Sequence, residues 1–274
     1  MTETPRQGPP AGGGRLIGRV RKERIAQLIR ERGFMSSAAL AAMFGVSEMT
    51  VRRDLAELDL RGVIQRTHGG AVTDPSPEGE ADAAAEPFFD ERNVQNRDAK
   101  TAIAQAAAAL AGPAQAVVLD VGTTTYALAK ILTQDERLRI FTNNLRISAL
   151  GTAAGAEVHT LGGRVRPSEM SLYGPMAIEQ ARRLWFDVAF IGVSAISEMG
   201  IYDYALEEAE MKRVFAERAT KRVVVADSSK FGARSLVEVG ALDRFEILVT
   251  ERTPPSGIAE ALEQAGVQVI IAGA

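Results

Sequence analysis

The chain is expected to fold as a small α+β unit followed by a larger α/β unit whose sheet is mainly parallel. Three observations predict this: clustered helical patterns around a capped, cationic helix near residue 50, a proline-rich and apolar-poor stretch at residues 73–87, and Val/Ile-rich runs separated by helical patterns beyond it. At 274 residues and 46% hydrophobic content, the chain is long enough for two domains with sizeable cores. Zero cysteine excludes disulfides and thiol chemistry, and with only two histidines no metal site and no cofactor is expected. Residues 1–14 are rich in Pro and Gly and lack the apolar centre of a signal peptide, so they read as a disordered tail of a cytoplasmic protein. No apolar run approaches the length that spans a bilayer, so no membrane partner is expected.

In residues 15–72, Ile25, Leu28 and Ile29 repeat at helical spacing among Arg21, Lys22, Arg24 and Arg30. A short helix follows at about Ser37 to Phe44, with Leu40, Ala41 and Phe44 on one side and Gly45 free to take a left-handed turn at its end. Ser47 is a good N-cap for the next helix, and Val46 and Val51 flank it where two apolar side chains can staple the entry. Val51, Leu55 and Leu58 make that helix apolar on one face, while Met49, Thr50, Arg52 and Arg53 point largely elsewhere. Helix, glycine turn and capped helix are the helix-turn-helix pattern. Gly62 to Val72 then reads as two short strands around Gly69-Gly70, a wing, so the unit is expected to be a winged helix-turn-helix.

Charge is local. Residues 15–72 hold 11 Lys/Arg against 6 Asp/Glu, whereas residues 73–274 hold 20 against 28. A basic module attracts phosphates, and an acidic remainder limits indiscriminate binding by the whole chain. The expected DNA-binding residues are Ser47, Glu48, Met49, Thr50, Arg52, Arg53 and His68. In a major-groove docking, Arg52 or Arg53 could grip guanine while Met49 or Thr50 touches a thymine methyl. The alternative is a three-helix structural or protein-binding module with a solvated arginine face. For His68, an ordinary surface histidine and a backbone-phosphate contact both fit.

Residues 73–87 carry three prolines and few large apolar groups, and read as a linker to a domain spanning 88–274. An alanine-rich helix at about Asp98 to Ala111 leads into the apolar run Ala116 to Asp120, a turn, and a helix from Tyr126 to Leu132. Further runs lie at Arg139 to Phe141, Glu157 to Leu161, Val188 to Ile191, Arg222 to Ala226, Ile247 to Val249 and Val267 to Ile271. Such strands with intervening helices predict a parallel sheet covered on both faces, with ligands bound beyond the carboxyl ends of its strands.

The polar residues after those strands form a candidate effector site. Asp120, Gly122, Thr123, Thr124 and Thr125 precede a helix start, where amides, hydroxyls and the positive helix end suit a phosphate. Thr142, Asn143 and Asn144 follow the next strand, then Gly163, and later Lys230 adds a cation, with Glu208 and Lys212 on a helix between. Each group also has a plainer reading: a threonine-capped turn, an asparagine turn, a solvated lysine, and for Glu207, Glu208 and Lys212 an exposed helix face of spaced opposite charges. Their convergence at one sheet edge points to a sugar-phosphate-like ligand.

The run from Arg21-Lys22-Glu23-Arg24-Ile25 through Val51-Arg52-Arg53-Asp54-Leu55 to Arg66-Thr67-His68-Gly69-Gly70-Ala71 resembles the DeoR family of bacterial transcriptional regulators. So, in order, do Asp120-Val121-Gly122-Thr123-Thr124, Thr142-Asn143-Asn144, Gly162-Gly163, Phe190-Ile191-Gly192, Leu206-Glu207-Glu208-Ala209-Glu210 with Lys212, and Asp227-Ser228-Ser229-Lys230-Phe231-Gly232. The resemblance covers about Arg19 to Glu251. It implies a sensor domain similar in fold to ribose-phosphate isomerases, a repressor of sugar-catabolism genes, and operator affinity set by a phosphorylated sugar or related metabolite. Where the family usually has Asp-Gly after the Phe-Ile-Gly motif, this chain has Val193-Ser194-Ala195, and Tyr202 stands where Thr or Ser is common. An aldose–ketose isomerase needs a positioned carboxylate, so the lost acid weighs against catalysis and no catalytic residue is assigned. The partners expected are operator DNA, the effector and further copies of the chain in a dimer or tetramer, because two half-sites need two recognition helices. The rival readings are a sugar-phosphate isomerase using Glu207 or Glu208 as base with Lys230, and an activator in place of a repressor.

Overall fold

A computed structural model describes residues 18–32, 34–60, 63–66, 70–73, 89–233 and 235–273. The chain divides into two compact units, Met1–Ala81 and Asp82–Ala274. The tail at 1–14, His68 and residues 74–87 of the expected linker lie outside the described residues.

In the first unit, α1 (Gly18–Arg32), β1 (Phe34–Ser36), α2 (Ser37–Phe44) and α3 (Glu48–Leu60) precede the hairpin of β2 (Ile64–Arg66) and β3 (Gly70–Thr73). Ile25, Leu28 and Ile29 of α1, Leu40 of α2, and Val51, Leu55 and Leu58 of α3 close into one apolar core. Gly45 turns left-handed at φ 62 and donates its N–H to Ala41, ending α2 where a side chain would be strained. The Ser47 hydroxyl accepts the Thr50 N–H at 3.3 Å, capping α3 as its sequence predicts. The wing is there, with Ile64 paired to Thr73 and Arg66 to Ala71. It has a third strand that sequence reading passed over: β1 pairs antiparallel with β3, making the order β1-β3-β2. At three residues β1 is too short to show a period.

The second unit opens with α4 (Phe89–Val94) and α5 (Arg97–Ala108), and then runs β4 (Ala116–Leu119), α6 (Thr123–Leu132), β5 (Arg139–Thr142), α7 (Leu145–Ala154) and β6 (Val158–Thr160). The hairpin β7 (Arg164–Arg166) and β8 (Ser171–Tyr173) and helix α8 (Pro175–Arg182) lead to β9 (Phe186–Gly192), β10 (Ala195–Ser197), β11 (Gly200–Asp203) and α9 (Leu206–Glu217). β12 (Ala219–Val225), β13 (Val237–Gly240), β14 (Ile247–Thr250), α10 (Ser256–Gln264) and β15 (Gln268–Ile271) complete it. The seven apolar runs form one parallel sheet in the order β15-β14-β12-β9-β4-β5-β6. Alternation places Val117 and Leu119 against α5, α6 and α7, and Val118, Ala189 and Val224 against α8, α9 and α10. The chain steps from β4 outward through β5 and β6, then returns to the other side of β4 with β9, so the strand order reverses between β4 and β9. A crevice opens at such a reversal, beyond the carboxyl ends of the strands.

Two expectations change. The helix after β4 starts at Thr123 and not at Tyr126, because Gly122 is already its N-cap and the three threonines form its first turn. α5 ends at Ala108, short of Ala111. Two small antiparallel sheets, β10-β11-β13 and β7-β8, were not foreseen, since none of their strands reads as a continuous Val/Ile run.

The first unit also holds a buried ion pair, Arg21 Nε to Asp54 Oδ2 at 2.6 Å, tying α1 to α3. Removing one partner of such a pair strands a buried charge, so Asp54→Ala should cost this unit about 3 kcal/mol, against under about 0.5 kcal/mol for exposed Glu57→Ala. Urea unfolding followed by far-UV circular dichroism measures both; equal losses would contradict the assignment.

Candidate functional site

Helix α3 presents the candidate DNA-binding surface. Ser47, Glu48, Met49, Arg52 and Arg53 are exposed and Thr50 is half-buried. Val51, Asp54 and Leu55 turn inward. Met49, 67% exposed, is an apolar side chain that no part of the unit covers. Glu48 pairs with Arg52 at 3.4 Å along the helix, and the hydroxyls of Ser47 and Thr50 share a hydrogen bond of 2.9 Å. So Ser47 is committed to capping, Arg52 is held by a weak surface ion pair, and Arg53 projects as an exposed cation.

The second unit carries a cleft, partly open to solvent, at the reversal between β4 and β9. Its lining includes Gly122, Thr123 and Thr124 after β4, Gly192 to Ser194 after β9, Asp227, Ser229 and Lys230 after β12, and Glu208 and Lys212 from α9. Arg92, Gln95, Asn96, Lys100, Glu169 and Asp203 complete the walls. Gly122 offers no side-chain cap to α6, so the first amides of that helix stay available beside two buried threonines.

Lys212 sits at the floor, almost wholly buried. Its ammonium donates to Asp120 Oδ2 and stands 3.1 Å from Asp203 Oδ2. Burial alone would lower its pKa, but the joint attraction of Asp120, Asp203 and Glu208 outweighs that and raises it, so the ammonium stays charged. Burial pushes the Asp120 carboxyl up to about 7 against the pull of Lys212, and Glu208 is raised by burial too. Glu208 is further engaged by Arg166 at 3.1 Å and the Ser171 hydroxyl at 3.0 Å, both from the β7-β8 hairpin. Glu208 and Lys212 are therefore not an exposed charged face: they lie one turn apart on the buried side of α9, and Glu207 alone of the three is exposed.

Gly122, Thr123, Thr124, Glu208, Lys212 and Lys230 line the cleft, and Asp120 reaches it through Lys212. The other expected residues are occupied elsewhere. The Thr125 hydroxyl donates back to Gly122 O at 2.9 Å, and that of Thr142 to Leu119 O at 2.7 Å. Asn144 caps α7, accepting from Arg146 N at 2.8 Å, and Asn143 Nδ2 donates to Leu172 O at 3.1 Å. Gly163 lies under the β7-β8 hairpin, where a Cβ would come within 2.6 Å of Tyr173 O. These five hold the loops that shape the sheet edge and do not line the cleft.

Sequence reading missed Arg92, Asn96, Lys100, Glu169 and Asp203. For Lys100 a signal existed, since it shares the inner face of α5 with Ile103, Ala104 and Ala107 and is buried with them. Asp203 had none, because it arrives on the unforeseen strand β11. It bears on the Ser194 departure: the Ser194 hydroxyl lies 3.4 Å from Asp203 Oδ1, so β11 supplies a carboxylate where the β9 loop lacks one. Among the described residues no group of His, Asp and Glu has metal-site spacing, and no helix is long and apolar enough to cross a membrane.

Lys212→Met should leave the buried carboxylates of Asp120 and Asp203 without their cation, while Glu208 keeps Arg166, and destabilise the second unit by about 3–5 kcal/mol. Thermal unfolding reads this, and an unchanged midpoint would refute the role given to the cluster.

Residues 21–76 match the DeoR-like helix-turn-helix domain and residues 95–252 the DeoR C terminal sensor domain. The chain is 36% identical to the HTH-type transcriptional regulator GlpR of Haloferax volcanii, covering 91% of this chain and 96% of that protein. It is 33% identical to the glycerol-3-phosphate regulon repressor of Haemophilus influenzae, covering 92% and 96%, and 31% identical to the HTH-type transcriptional repressor CsqR of Escherichia coli K12, covering 93% and 96%. A solved ribose 5-phosphate isomerase from Methanocaldococcus jannaschii overlaps 50% of this chain and 55% of its own at 17% identity and a TM-score of 0.38, too loosely to bear on activity. With both domains matched in order and relatives aligned over nearly their full length, the chain belongs to the DeoR family of DNA-binding transcriptional regulators.

Proposed function

We propose that the chain is a repressor of sugar-catabolism genes that releases its operator when the cleft takes up a phosphorylated sugar, polyol or related metabolite. Residues 15–72 bind DNA, 73–87 join, and 88–274 bind the effector and pair copies into a dimer or tetramer. The observation that carries the ligand class is Lys230. Its ammonium has no hydrogen bond or ion pair among the described residues, and it lines the same cleft as the uncapped start of α6 with Thr123 and Thr124. A free cation, helix amides and hydroxyls together suit a phosphate. The glycerol-3-phosphate named for one relative is of that class. Asp203, and Glu208 where Arg166 and Ser171 leave it room, supply acceptors for ligand hydroxyls.

An enzymatic reading is weaker. Glu207 is exposed and Glu208 is held by Arg166 and Ser171, so neither is a free base beside Lys230. Glycerol 3-phosphate and pentose phosphates should therefore raise the unfolding midpoint without being converted. Lys230→Ala should weaken the binding that this shift reports by about tenfold, the loss of one charge-assisted contact. Steady turnover, or an undiminished shift in Lys230→Ala, would overturn the reading.

The DNA half is tested separately. Replacing Arg52 and Arg53 with alanine should remove about 1–3 kcal/mol per lost base contact and abolish retention on operator DNA, with the thermal shift by ligand intact. Retention of the operator at wild-type affinity would exclude α3 as the reader.

Burial lowers the Lys100 pKa to about 8, against the attraction of Asp227, with Lys230 adding to the lowering. In the folded protein Lys100 thus sheds its proton at a pH where the unfolded chain keeps it, so its charged form is disfavoured below pH 8 and the penalty fades toward the unfolded value of 10.5. A phosphate bound beside it restores the charged form, so binding at pH 8 should take up about half a proton. Calorimetry in buffers of different ionisation enthalpy measures that uptake, which should vanish in Lys100→Met.

A further inference from the structure

The cleft wall nearest in sequence to the DNA-binding unit is α4 with the turn that follows it. Six residues do not make a helix that stands alone in water. α4 is held from outside. Phe89 is buried, edge-on to the Tyr126 ring at 5.5 Å, with the Arg146 guanidinium 4.1 Å above its face. Polar contacts hold α4 as well. Arg92 pairs with buried Glu169 at 2.6 Å, the Lys100 ammonium donates to the carbonyls of Arg92 and of Gln95 (2.8 Å to Gln95 O), and Asn96 Nδ2 donates to Asp227 Oδ1 at 2.9 Å.

All of these polar groups line the cleft. A bound anion draws on the two cations, Arg92 and Lys100, that now pin α4, through one side chain and two carbonyls. Asp227 binds Asn96 while also holding Ser229, next to Lys230. Two cations that a phosphate in the cleft would draw on, Arg92 and Lys100, are thus groups that fix the first described helix after residues 74–88.

We propose that α4 is the element that passes effector binding to the DNA-binding unit: the anion takes Arg92 and Lys100 into its own coordination, loosens the hold of Glu169 and of the α4 carbonyls, and re-seats the helix from which the chain runs back into residues 74–88. This rests on the cleft being a phosphate site. The ligand shifts the helix only by the difference in its affinity for the two placements, and the same difference, read in reverse, lowers its affinity for the DNA-bound form. Arg92 is a positioning residue in this scheme and also a ligand contact.

Hydrogen–deuterium exchange on the full chain tests it, with inorganic phosphate and glycerol 3-phosphate as probes and calorimetry on the same samples. With a saturating probe, amides of residues 89–96 should exchange at least about fivefold faster while those of α10 are unchanged. In Glu169→Gln the same amides should already exchange fast without probe and change little on adding it, although the probe still binds; Glu169→Asp should restore the response. If neither probe binds, the phosphate reading of the cleft falls and the inference falls with it. If a probe binds and residues 89–96 exchange as before, the inference alone is overturned.

Discussion

The second unit is organised around one buried cation. Lys212 reaches from α9 to Asp120 at the end of β4 and to Asp203 at the end of β11, with Glu208 one turn away on its own helix. Taking these charges out of water is costly unless they are matched. Matching them fixes where α9 lies over the sheet, how β11 is placed and where β4 ends. Asp120 also accepts the Gly192 N–H at 3.1 Å, which locks the β9 loop to the same point. The floor of the cleft is therefore fixed by matched charges, and Lys230, the α6 start and α4 form its rim.

This division bears on how a regulator can respond to a small ligand. A floor with paired charges offers hydroxyl acceptors without rearranging, whereas the rim holds Lys100, which donates to carbonyls of α4 and its turn, Arg92, which pairs with Glu169, and Lys230. An anion in the cleft competes with those partners for the cations. The α1-α2-α3 unit has its own core and its own buried ion pair.

Much of this was legible because it depends on local rules. The Ser47 cap, the Gly45 turn and the Val51-Leu55-Leu58 stripe each follow from spacing and residue type, and each is found. The seven Val/Ile runs gave the strands of the main sheet for the same reason. The threonines of α6 were misplaced by one helical turn, because threonine at the first turn reads equally well as a loop. Glu208 and Lys212 looked like a solvated pair, since spacing on a helix says that two charges meet but not which way they face. Lys100 could have been found from its place on an apolar stripe; Arg92, Glu169 and Asp203 could not, as they lie on a six-residue helix, in a turn and on a strand without a Val/Ile run.

By itself the sequence determined two units, a basic helix-turn-helix and a parallel α/β sheet, because caps, turns and apolar period act over a few residues and leave their mark in order along the chain. Only the tertiary structure decided which polar residues share a site. Asp120, Asp203 and Lys212 are brought together from β4, β11 and α9, and Arg92 and Glu169 from α4 and the β7-β8 hairpin. Such pairings are selected by the cost of leaving a buried charge unmatched, which depends on what packs against it across the fold and has no signature in local spacing.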